Sequence, residues 1–184
     1  MKKSHNLSRL AGAAFVLIAG VGSASAGDGL IYQLSVGALS HDVPNMWSGF
    51  RREKESLDIN VDAQLSPSMQ VFFGTLRPAV GGTFNTQGQT NMGYLDARWT
   101  YEAASGLFFG VGLGGAVHDG NIGKEDPARK AFGSRVLFHI PLEFGYRFDA
   151  HQSVSAYFEH TSNGYTMQYN EGMDRLGVRY GYRF

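Results

Sequence analysis

The 184-residue sequence has no cysteine. That excludes a disulfide framework, a Cys-ligated zinc site and a cysteine nucleophile. It also has no surplus of either charge, with Lys+Arg 16 against Asp+Glu 16. Binding phosphate backbones takes a concentrated basic face, so no nucleic acid is expected as partner. Charged residues make up only 17% of the chain, against the ~25% usual in soluble domains. No apolar run approaches the roughly 20 residues of a membrane-spanning helix. The mean hydropathy of -0.20 likewise argues against a helical membrane bundle. What is plentiful is glycine, at 25 residues, and aromatic residues, at 13%. Low charge, many glycines and many aromatics without a long apolar run fit an all-β chain, and a membrane barrel in particular.

The first 26 residues read as a secretory signal peptide, outside the fold. Lys2, Lys3 and Arg9 make a basic start, Leu10 to Gly22 is a short apolar stretch, and Ala24-Ser25-Ala26 is a small-residue cleavage site. Cleavage after Ala26 leaves residues 27–184 as one domain and makes the mature chain slightly acidic.

Extended segments separated by turn signals are expected near 30–39, 56–65, 71–82, 91–102, 107–117, 134–147, 153–162 and 174–184. Side chains alternate between sheet faces, and the segments obey that period. Over 134–147 the even positions are Val136, Phe138, Ile140, Leu142, Phe144 and Tyr146, while Arg135, His139, Glu143 and Arg147 are odd. Leu57, Ile59, Val61, Ala63 and Leu65 oppose Asp58, Asn60, Asp62 and Gln64. Leu95, Ala97, Trp99 and Tyr101 oppose Asp96, Arg98 and Glu102.

A soluble sandwich would alternate too, with its apolar face inward. An export signal, an even number of strands of about 10 residues and an alternating aromatic terminus ending on Phe184 favour an eight-stranded antiparallel transmembrane β-barrel of the bacterial outer membrane. The polar face then lines the interior. There Arg135, Arg147, Arg175, Arg179 and Arg183 would be neutralised by Asp58, Asp62, Asp96, Glu102, Glu143 and Glu159. Short connections at Ser66–Gln70, Ala103–Gly106 and Phe148–Gln152 are expected to face the periplasm with both termini. The longer ones at 40–55, 82–90, 118–133 and 163–173 would face outside.

One polar group breaks the pattern. His160 and Ser162 continue the apolar, lipid-facing row of Val154, Ala156 and Phe158. Asp174 extends the outward row of Leu176, Val178, Tyr180 and Tyr182 on the following strand. With residue 162 opposite 174, the three fall together near the outer rim. Polar groups facing lipid are costly and usually functional. A serine hydroxyl needs a base to become a nucleophile, His serves as that base near neutral pH, and an acid fixes the imidazole tautomer. Spacing alone leaves this reading and that of ordinary headgroup-bathed rim residues about equally open.

At these residues the chain resembles the PagL family, lipid A 3-O-deacylases of the bacterial outer membrane. The family has His-x-Ser-Asn-Ala near the end of the seventh strand and Asn-x-Gly-x-Glu opening the eighth. This chain reads His160-Thr161-Ser162-Asn163-Gly164 and Asn170-Glu171-Gly172-Met173-Asp174. The resemblance implies Ser162 as nucleophile, His160 as base and Asp174 as orienting acid, with no metal or cofactor. Asp174 stands where the family has the longer Glu, so Glu171 is the alternative acid. The family's asparagines imply Asn163 and Asn170 as oxyanion or substrate-binding groups, with backbone N–H groups near Gly164. The implied substrate is lipopolysaccharide, cut at the ester-linked 3-hydroxyacyl chain on position 3 of lipid A. Outer-membrane lipid is the surrounding partner, the barrel assembly machinery would read Phe184, and a homodimer is left open.

The remaining polar residues read as ordinary structure. His41-Asp42 and His118-Asp119 stand at loop starts and are expected to be solvated. Lys124-Glu125-Asp126 reads as a solvated run, as does Arg51-Arg52-Glu53-Lys54, with lipid A phosphates the second reading for the latter. Gly110 to Gly115 lies within a strand with no following helix, so it is not a dinucleotide loop. Two rivals to the deacylase remain: a non-catalytic structural or binding barrel, and an esterase for phospholipid or another acyl ester.

Overall fold

The computed structural model describes residues 29–184, and the leader expected over 1–26 lies outside them. Among the described residues the strands are β1 (Ile31–Ser40), β2 (Leu57–Leu65), β3 (Met69–Val71), β4 (Gly74–Asn85), β5 (Met92–Glu102), β6 (Leu107–His118), β7 (Val136–Arg147), β8 (Gln152–Ser162) and β9 (Met173–Arg183). They run β2-β1-β9-β8-β7-β6-β5-β4-β3, and a β2–β4 pairing closes the sheet. Every neighbouring pair is antiparallel. Because β2 and β3 both lie along β4, they form one interrupted stave of an eight-stranded barrel. Closure removes the unpaired edge groups that hydrocarbon cannot solvate.

The interruption has a chemical cause. Pro78 of β4 has no N–H to give the ladder, and β2 stops pairing at Gln64↔Ala79. Arg77 fills the break by donating from Nη1 to Ser66 O at 2.6 Å. The connection expected at Ser66–Gln70 is therefore a bulged stretch that continues into β3. Strand β4 also runs three residues further than the expected 71–82, to Asn85. Gly81 and Gly82, expected at the end of the strand and the start of the loop, lie well inside the ladder. A Cβ on Gly81 would meet Val61 O at 2.5 Å and the Tyr94 hydroxyl at 2.6 Å. This glycine serves close backbone approach.

The faces are inverted relative to a soluble protein. Val136, Phe138, Phe144, Leu95, Leu113 and Val178 are exposed on the outer wall. Inside, Arg175 and Arg179 are among the most fully buried side chains. Arg175 pairs with Glu159 at 3.1 Å and also with Asp58. Arg179 pairs with Asp62 at 2.9 Å, and Arg98 bridges Asp62 at 3.2 Å and Asp96 at 2.9 Å. His139 lies between Asp96 and Glu159 at 2.9 and 3.3 Å. Charges removed from water need this mutual satisfaction, because an unpaired buried charge costs several kcal/mol.

Two expectations change here. Arg135 is not a lumen cation, since it stands before β7 and donates to the His118 and Gly120 carbonyls at 2.9 and 2.7 Å. Arg98 takes the central place instead, its guanidinium aimed inward by the β5 alternation. The long connections 41–56, 86–91, 119–135 and 163–172 share one end of the barrel, and the short ones share the other with both chain ends.

Candidate active site

His160 and Ser162 are two residues apart on β8, so both side chains leave the same face. By strand parity that face is the outer wall. Strand β9 starts at Met173 and sets Asp174 directly across the ladder from His160. The sequence-based pairing of 162 with 174 is thus corrected by two residues. A two-residue shift preserves side-chain parity, which is why Asp174 still meets His160 on the outer side. The shift reflects how early the chain re-enters the ladder, at Met173, straight after Gly172. A Cβ there would lie 2.9 Å from Thr161 O, 3.1 Å from His160 Cε1 and 3.3 Å from Ser162 Cβ.

The three side chains form one hydrogen-bonded row. His160 Nδ1 lies 2.6 Å from Asp174 Oδ1, and His160 Nε2 lies 3.0 Å from Ser162 Oγ. A carboxylate can only accept, so it holds the proton on Nδ1 and leaves Nε2 to accept from the Ser162 hydroxyl. His160 is nevertheless only 9% exposed and Asp174 0%. The cover comes from a part of the chain that sequence reasoning left out of the site. In the 41–56 loop, the Trp47 ring stands edge-on to His160 at 5.2 Å between centroids and to Phe158 at 5.4 Å. Ser48 donates to Asp174 Oδ2 from its backbone N–H at 2.6 Å and from its hydroxyl at 2.8 Å. Val43 N–H donates to the Asp174 carbonyl at 2.8 Å. Nothing local in the sequence marks Trp47 or Ser48, because the contact spans 126 positions.

That loop is anchored beneath by groups expected to be solvated. His41 and Asp42 are 0% exposed. His41 bridges Asp58 at 2.7 Å and Glu53 at 3.0 Å. Asp42 accepts from the backbone N–H groups of Arg52 and Glu53 and pairs with Lys130 at 2.8 Å. Glu53 also accepts from the Thr90 hydroxyl at 2.7 Å. Burial pushes the Glu53 carboxyl up, but the His41 and Thr90 hydrogen bonds outweigh it and hold the group at about 2. Burial pulls the His41 pKa down, and hydrogen bonds to Asp58 and Glu53 reverse that to a net rise. The Arg51-Arg52-Glu53-Lys54 run is therefore partly an internal clamp, with Glu53 as its buried member. His118 is also buried, against the Ser134 carbonyl at 2.8 Å.

The remaining predicted site residues surround the row. Asn163 Nδ2 donates to Phe132 O at 2.7 Å and to Tyr169 O at 2.5 Å. Both amide hydrogens are thereby committed, leaving that side chain no donor for an oxyanion. Asn170 Oδ1 accepts from the Asn163 N–H at 2.8 Å. Together the two asparagines brace the 163–172 loop beside Ser162. Gly164 has φ +64 and stands against the Phe138 ring. Glu171 is turned away from His160. It pairs with Arg52 at 3.1 Å and accepts from Ala131 N–H at 2.8 Å. Asp174, not Glu171, is the acid in contact with His160.

A family model described as Lipid A 3-O-deacylase (PagL) matches residues 61–183. The chain belongs to the PagL family. Among solved structures, the "outer membrane enzyme PagL" matches with TM-score 0.58 and 20% identity, over 83% of this chain and 99% of that one. Neisserial surface protein A (NspA) matches with TM-score 0.52 and 11% identity, over 86% and 99%. At these identities the likeness shows the outer-membrane barrel fold. No curated protein matches the chain. The matched PagL stretch contains His160, Ser162 and Asp174, whereas Trp47 and Ser48 precede it.

Proposed function

We propose that the protein is a lipid A 3-O-deacylase working as a serine hydrolase at the outer-leaflet rim of the barrel. The observation that carries this reading is the Ser162–His160–Asp174 hydrogen-bonded row on an outer wall otherwise apolar. Family membership supports the substrate. The long connections gathered at the site's end support this orientation, since outer-membrane barrels keep short turns on the periplasmic side.

The reaction runs in two halves. Ser162 Oγ attacks the ester carbonyl at position 3 while His160 Nε2 takes its proton. Asp174 holds the imidazole tautomer and stabilises the imidazolium. Collapse passes that proton to the departing sugar oxygen and leaves the 3-hydroxyacyl group on Ser162. Water from the rim then attacks the acyl-enzyme with His160 again as base, and the 3-hydroxy fatty acid leaves. With both Asn163 amide hydrogens committed to loop carbonyls, the Gly164 N–H and the Asn170 side-chain amide are the remaining oxyanion donors that the family resemblance implies. Acyl chains would lie along the exposed Phe138 and Val136.

Incubating the purified barrel separately with lipid A and with phospholipid tests the reading. Release of a 3-hydroxy fatty acid from lipid A alone is the expected result. Release from phospholipid alone would make it a general esterase, and release from neither, with no serine-phosphonate labelling, would make it a non-catalytic barrel.

A further inference from the structure

Asp174 is a carboxylate on the outer wall of a barrel whose surroundings are hydrocarbon, a setting that cannot solvate charge. Its Oδ1 is occupied by His160. Its Oδ2 would be bare at that surface if the 41–56 loop did not fold over it. Two donors from a single residue, the N–H and O–H of Ser48, meet Oδ2 at 2.6 and 2.8 Å. The residue before it, Trp47, lays its ring against His160 and Phe158 beside the same spot. Val43 ties the start of the loop to the Asp174 backbone. The buried His41, Asp42 and Glu53 hold the loop from below.

We propose that Ser48 is a positioning residue for the deacylation: its hydroxyl and N–H replace water on Asp174 Oδ2 and fix the carboxylate so that Oδ1 orients His160. This rests on the reading of Asp174 as the orienting acid. The interaction is charge-assisted on both bonds, and such bonds are roughly twice as strong as neutral ones. Ser48 touches neither Ser162 nor the scissile ester, so it acts through Asp174. The titratable side chain bonded to Asp174 is His160 from β8, while the neighbouring Arg175 turns to the lumen pairs with Asp58 and Glu159. Removing the hydroxyl takes one charge-assisted donor from the carboxylate that faces His160, and the acid limb of activity is expected to move to higher pH.

The test measures kcat, KM and the pH profile of lipid A deacylation for the full-length protein in micelles. Ser48→Ala is expected to lower kcat about tenfold at neutral pH with KM little changed, a loss of the size of one charge-assisted hydrogen bond, and to raise the pH of the acid limb. Ser48→Thr, which keeps the hydroxyl at a half-exposed position, is expected to restore both. Heat-modifiable mobility verifies that each variant is folded. An acid limb that stays in place in Ser48→Ala, or a loss that Thr does not restore, overturns the proposal. Ser162→Ala is run alongside. If it keeps activity, the reading of the site itself fails. If it is inactive while Ser48→Ala behaves as wild type, only the role of Ser48 fails.

Discussion

Asp174 faces His160 across the β8–β9 ladder, with its Oδ1 2.6 Å from the imidazole Nδ1. An acid in that place sets which nitrogen carries the proton. Asp174→Asn keeps the shape but offers an amide that can donate toward Nδ1 and favour the wrong tautomer. The expected result is a fall in kcat of about 10³–10⁴-fold with the barrel intact. Deacylation assays on the refolded variant check it, and a loss below tenfold would mean that Asp174 does not orient the base.

Inside the barrel, Asp62 satisfies three groups at once: Arg179 at 2.9 Å, Arg98 at 3.2 Å and the Tyr94 hydroxyl at 3.2 Å. Asp62→Leu would take from Arg179 its 2.9 Å carboxylate partner and leave Arg98 with Asp96 alone. Breaking a buried pair from one side costs about 3–5 kcal/mol. Denaturant unfolding in micelles should show a loss of that size, whereas a variant as stable as wild type would mean that lumen water serves both arginines.

Low pH should loosen the loop that covers the site. Glu53 sits at about 2, below its ordinary 4.5. A depressed carboxyl stabilises the fold fully above 4.5, and that contribution fades as pH falls toward 2. The size is about 3 kcal/mol at most. His41, with a raised pKa, contributes fully below its ordinary 6.5 and loses its share as pH climbs through the raised value. Hydrogen-exchange protection across 41–56, relative to the intrinsic rate at each pH, is expected to fall between pH 4.5 and 2, and Glu53→Gln should be weakly protected at every pH. Flat protection over that window would show that the clamp is not electrostatic.

The barrel was legible because period-2 alternation is a local property. The even positions from Val136 to Tyr146 face out and the even positions from Asp58 to Gln64 face in, as the residue order alone implies. The juxtaposition of His160, Ser162 and Asp174 was legible for the same reason, since parity survives an error of two residues in register. The end of β4 was missed by three residues, because Gly82 pairs within the ladder instead of opening the loop expected at 82–90. Long-range placement was invisible. The sequence could not show that His41 and Glu53 are buried partners, or that Ser48 reaches Asp174, because loop docking depends on contacts far apart in the chain. Asn163 was legible as a site neighbour, but its amide turned out to serve two loop carbonyls.

The central claim is that Ser162 cuts the position-3 ester of lipid A. Mass spectrometry of lipid A from cells expressing the wild-type chain or Ser162→Ala tests it most directly. Lipid A lighter by one 3-hydroxyacyl group is expected with the wild type and full-length lipid A with the variant, both proteins running as folded, heat-modifiable barrels. Equal loss of the acyl group in the two would contradict it.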